Sequence, residues 1–139
     1  MRKYTPDIRA LAQGALKKMR SRLPGAVELV YDNYNALVIG FAPTERASDA
    51  MFSIVLYPRW VTLFFLNGKG LPDPEKLLKG NGVRVRHIVL ENEEALDKPA
   101  LRALMKSALD RSQPPINGRG RRRMIIKSVS AKQRPRRPN

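Results

Sequence analysis

The chain of 139 residues contains no cysteine, one histidine, one tryptophan and only 12 carboxylate side chains. Without cysteine there is no disulfide framework, thiolate metal site or thiol nucleophile, and we read the protein as cytoplasmic. One histidine cannot build a histidine-rich metal centre, so neither a metal nor a cofactor is expected. No run of about 18 apolar residues occurs, so a membrane span is not expected. The basic start MRKYTPDIRALAQGALKKM lacks the continuous apolar block of a signal peptide. The phosphate-cradling patterns G-x-x-x-x-G-K-[ST] and G-x-G-x-x-G are missing. So are the G-x-S-x-G elbow and the H-E-x-x-H zinc helix. No catalytic residue can be nominated, and the chain reads as a binding domain rather than an enzyme.

The shortage of acid makes charge the unusual quantity. Lys and Arg number 27, for a net +15. Residues 1–111 hold 18 basic and 12 acidic groups, whereas residues 112–139 hold nine basic groups and no acidic one. Such a surplus favours anionic partners, nucleic acid or acidic protein, and also serves plain solvation. The length suits one domain with one real core.

Thr5-Pro6-Asp7 signals a helix start, with a hydroxyl cap, a first-turn proline and an acid near the positive dipole end. Ile8, Leu11, Ala12, Ala15 and Met19 follow at helical spacing, and Pro24-Gly25 ends the helix. Residues 26–31 and 36–41 flank the turn-rich DNYN, and residues 50–57 and 60–66 flank Pro58-Arg59. Both pairs predict antiparallel hairpins, because connections this short cannot make a parallel crossover. Residues 67–82 predict a loop with a short helix between Pro72 and Gly80. Residues 83–90 predict a strand with His87 on its apolar side, as an interior or rim residue. From Asp97, a candidate cap, the period returns to helical, with Leu101, Leu104, Met105, Ala108 and Leu109 in the stripe. Terminal helices around an antiparallel sheet predict an α+β domain with a curved sheet of five or six strands.

The tail is not uniform. MIIKSVS, residues 124–130, has strand character, so a single domain over 1–130 is expected, with 124–130 as an added edge strand. Residues 131–139 are expected to be a flexible basic tail. A bare sheet edge could otherwise pair with a second copy.

Two long stretches, VELVYDNYNALVIGFAPTERASDAMFSIVLYPRWVTLFF and GLPDPEKLLKGNGVRVRHIVLENEEALDKPALRALMKSAL, resemble the YdhG-like family of small bacterial domains of unknown function. The likeness lies in the order of segments: the LYPRWVTLFF hairpin, the LLKG turn and the strand-to-helix passage IVL…LDKPALRALM. It implies an antiparallel sheet backed by terminal helices. Some relatives are described as frataxin-like iron chaperones, which gather carboxylates on the first helix and first strand. At those places this chain has Asp7, Glu28 and Asp32.

Two sets of candidate residues remain. Tyr31, Asp32, Asn33, Tyr34 and Asn35 form one hairpin end, and Tyr57, Arg59 and Trp60 the other. Aromatic faces with a few polar groups suit a small-molecule site or base stacking, unless they merely anchor turns. The second set is the anion or nucleic-acid candidates Arg119, Arg121, Arg122, Arg123, Lys127, Lys132, Arg134, Arg136 and Arg137. Gly68-Lys69-Gly70 as an anion cup and Glu91, Glu93 and Glu94 as an acid–base cluster are weaker candidates, read first as a turn and as capping.

Overall fold

A computed structural model describes residues 1–138. It is an α+β molecule of two helices and one open six-stranded sheet, ordered β5-β4-β3-β2-β1-β6. Helix α1 (Pro6–Arg22) leads into β1 (Val27–Asp32), β2 (Leu37–Ala42), β3 (Phe52–Leu56), β4 (Val61–Phe65) and β5 (Arg86–Leu90). These five strands form an antiparallel meander. Helix α2 (Pro99–Asp110) then carries the chain back, and β6 (Arg123–Val129) joins the far edge parallel to β1. No helix among the described residues is long and apolar enough to cross a membrane.

Both helices lie on one face of the sheet. Ile8, Ala12, Ala15, Leu16 and Met19 of α1 and Leu101, Leu104 and Met105 of α2 are buried there. They meet Ile39, Phe41, Phe52, Ile54, Leu56, Val61, Leu63 and Phe65, one side of the period-two alternation. Phe52 and Phe65 pack edge to face, with ring centres 5.4 Å apart. Glu28 is the buried carboxylate of this layer, and Arg20 of α1 reaches it with two donors at 2.8 Å.

The chain reversal after α1 requires glycine. Gly25 has φ +83°, and a β-carbon there would stand 1.9 Å from the carbonyl oxygen of Asn117 in the return segment before β6. The loop over α1 and the entry to β6 are thus pinned at one point.

Several local expectations differ. Residues 67–82 form turns, not a helix, because Asp73 accepts from the amides of Leu77 and Leu78 and Lys79 bridges to His87 instead. The strand expected over 83–90 begins at Arg86. Its buried side carries Leu90 and the partly buried Ile88, whereas His87 lies on the face away from the helices, 5.5 Å from the Phe64 ring. Thr5 occupies the cap position of α1 but its side chain caps nothing. Asp97 is not the cap of α2. Lys98 is, and Asp97 instead pairs with Lys18 and Arg22 of α1, tying the two helical regions together.

Candidate functional site

The meander places the β1–β2 and β3–β4 turns at the same end of the sheet. Because β6 runs parallel to β1, its last residues arrive at that end too. The turn candidates therefore meet Lys132, Arg134, Arg136 and Arg137 of the second set there, whereas Arg119, Arg121, Arg122 and Arg123 lie at the opposite end, where β6 begins beside Val27.

The segment after β6 crosses the end of the sheet as a strap. The Ser130 amide donates to the Asp32 carbonyl at 2.8 Å, and the Arg134 amide to the Tyr34 carbonyl at 2.8 Å. Arg136 fastens the strap. Its guanidinium reaches the Asp32 carboxylate at 2.9 Å and the carbonyls of Asn33 and Tyr34, and it lies over the Tyr4 ring at 5.8 Å. Only 4% of Arg136 is exposed. Within the segment expected as a flexible tail over 131–139, Arg134 and Arg136 make these contacts, and Asn139 lies outside the described residues. The physical reason is that a planar five-donor cation can neutralise the Asp32 carboxylate and bond the Asn33 and Tyr34 carbonyls at the same time.

Tyr4 completes the anchor. Its hydroxyl donates to the Leu56 carbonyl at 2.9 Å and accepts from the Leu37 amide at 3.2 Å. Burial pushes the Tyr4 phenol up from its ordinary pKa, and the neighbouring Arg136 charge opposes that shift. No aromatic signal in the sequence marked Tyr4; it stands alone before the helix, and only folding brings it under Arg136.

Asn35, Tyr57, Arg59 and Trp60 from the two turns line one cleft with Arg134, Pro135, Arg137 and Pro138 from the strap, with a volume of about 570 Å³. Trp60 leaves 47% of its surface exposed and stands 5.7 Å from Tyr57, ring to ring. Arg134 lies over the Tyr34 ring at 5.5 Å. Among the described residues no carboxylate pairs with Arg59, Arg134 or Arg137. The cleft is therefore a cationic recess with an aromatic wall, suited to a flat or apolar body bearing negative charge.

A groove of about 460 Å³ adjoins it on the sheet face away from the helices. Asn35 and Tyr57 line both spaces. Ser53 and Val55 lie buried along the groove, with Val38, Phe64 and Leu66 beside them. On the other side of Trp60, a third recess gathers Asp7, Glu91, Glu93 and Glu94, with Arg59 and Trp60 lining this recess as well as the cleft. Its four carboxylates make it the less favourable side for an anion.

The remaining candidates divide. Tyr31 turns into the small cluster with Val27, Leu29 and Ile125 and stays outside the cleft. Asp32 is committed to Arg136. Arg123 pairs with Glu45 across the sheet edge. Arg119, Arg121, Arg122, Lys127 and Lys132 have no carboxylate partner among the described residues. Glycines 68 and 70 serve a turn: the Lys69 amide is taken by the Arg84 carbonyl, and Arg111 binds the Lys69 and Gly70 carbonyls. Asn92 caps the short 3-10 turn Glu93–Asp97 by accepting from the Ala95 amide at 3.0 Å. Among the described residues, no group of three or more His, Asp or Glu side chains converges to hold a metal ion.

No family model, curated protein or solved structure matches the chain.

Proposed function

We propose that the protein is a non-catalytic binding domain of YdhG-like type, whose ligand is an anion carrying a flat or apolar group. One observation carries the reading. Trp60, Tyr57 and three arginines without a carboxylate partner among the described residues, drawn from three separate chain segments, line a single cleft. Guanidinium groups supply directed charge for a carboxylate or phosphate, and the aromatic rings supply the surface for the rest. The order of segments supports the family reading. The iron-chaperone alternative finds little support, since Glu28 and Asp32 are each held by an arginine.

Trp60 is the sole tryptophan and reports on its own site. Benzoate or adenosine monophosphate should quench its fluorescence saturably, and Arg134→Glu with Arg137→Glu should weaken that response at least tenfold. A flat response to both anions would remove the reading.

A second reading is nucleic acid, favoured by the cations without a carboxylate partner among the described residues that run along β6 from the cleft to Lys132, Lys127, Arg122, Arg121 and Arg119. Here the strand's bases would stack on Trp60 and its phosphates would follow the cations. Filter binding of random single-stranded DNA should then weaken steeply with salt, with a slope of about 0.7 per neutralised phosphate. Weak, salt-independent retention excludes it.

A further inference from the structure

We propose that the cleft and the adjoining sheet groove form one elongated site for a single-chain amphiphilic carboxylate, with its head on the arginines and its apolar chain along the sheet. This rests on the cleft reading above and names the class of ligand.

Three observations carry it. First, the two spaces adjoin, with Asn35 and Tyr57 lining both, and together exceed what one small ring-bearing anion would fill. Second, their chemistry differs by end. Arg59, Arg134 and Arg137 stand at the first, while no charged side chain is among the described residues lining the second. Third, the groove is formed on β2, β3 and β4 by Val38, Ser53, Val55 and Phe64, with Leu66 just beyond β4. Beside Ser53 and Thr62, the open face of these central strands carries Val38, Val55 and Phe64, although only the other face is covered by helices. A half-covered antiparallel sheet ordinarily carries polar residues on its open face. An apolar lane leading away from a cationic mouth is complementary to a chain with a charged head. A long nucleic-acid strand has no use for the lane, because its charge repeats at every residue.

The test uses the whole protein and straight-chain carboxylates from hexanoate to decanoate below their micelle concentrations, followed by Trp60 fluorescence. If the chain enters the groove, affinity should rise about fourfold per added methylene. Decanol should bind at least tenfold more weakly than decanoate. Val38→Glu should abolish the chain-length gradient. Because that variant could disturb folding, carbon-13 methyl shifts of Val38, Val55 and Leu66 in the unmodified protein provide a second readout and should move with decanoate. Saturable benzoate quenching with no chain-length gradient overturns the amphiphile and leaves the cleft reading standing. Decanol binding as tightly as decanoate also overturns it. Absence of quenching by every anion overturns both. Retention by phosphatidylglycerol vesicles without any response to free decanoate would assign the surface to membranes and overturn the free-ligand proposal.

Discussion

Tyr4 joins three parts of the molecule through one oxygen. Replacing it by Phe leaves the Leu37 amide and Leu56 carbonyl without that partner, at an expected cost of about 1–3 kcal/mol in chemical denaturation. Its raised pKa has a signed consequence. The native state keeps the phenol proton where the unfolded chain loses it, so stability is full below about pH 10 and falls as pH rises toward the native value. Melting curves from pH 9 to 11 should decline less steeply for Tyr4→Phe. Arg136→Ala strands the Asp32 carboxylate and two carbonyls. We expect a loss of about 1–3 kcal/mol and accelerated exchange of the Arg134 amide; unchanged exchange would mean that the strap is held by something else. Asp97 has the opposite sign. The Lys18 hydrogen bond, and then Arg22, hold its pKa below the ordinary value. Its contribution is present above about pH 4 and vanishes as pH falls through the native pKa. Asp97→Asn should therefore melt lower than the parent at pH 7 and converge with it near pH 2. Arg20 and Glu28 could be named individually from sequence, but nothing in their spacing announced a two-donor contact between a helix and a strand. Such pairs depend on where elements dock.

At the scale of elements, periodicity was strong where one face had to be buried. The α1 stripe, the two hairpins and α2 all follow it. It failed in residues 67–82, where Pro and Gly punctuate a chain too short of apolar residues to bury a helix face. MIIKSVS read as an edge strand from its β-branched content, and β6 stands at that edge. Its parallel direction was not legible, because it follows from the return of the chain past α2 and Gly25. Ile125 packs beside Leu29 and Val27, although Met124 and Ile126 remain largely exposed. Ending the chain after Gly120 removes that cover and the Arg136 clasp together. The expected cost is roughly 3–6 kcal/mol, or about 9–24 °C in Tm. An unchanged Tm would show that β6 adds no stability.

At the scale of the whole molecule, +15 on 139 residues is a standing self-repulsion. Among the described residues, only a minority of the 27 cations find a carboxylate. Added salt should therefore stabilise the fold. The Debye length shrinks from about 30 Å at 0.01 M to about 8 Å at 0.15 M, and Tm should rise by several degrees over that range at neutral pH. A falling Tm would mean that the ion pairs at Glu28, Asp32 and Asp97 outweigh the repulsion. The Arg136 contact shows why the surplus does not simply dangle: one cation of the terminal segment is buried and the rest are displayed around it.

By itself the amino-acid order determined the helix and strand periods, the α+β class, the strand character of residues 124–130 and the excess of positive charge. These are local properties, set by side-chain shape, spacing and count. Only the tertiary structure decided which residues share a site. The cleft needs β1–β2, β3–β4 and the terminal strap at one end of the sheet, and that coincidence follows from strand order and direction, which depend on contacts between distant segments. It also decided that Asp32 is a clasp for Arg136 while Trp60 stays open, since burial and pairing are settled by neighbours that no short stretch of chain contains.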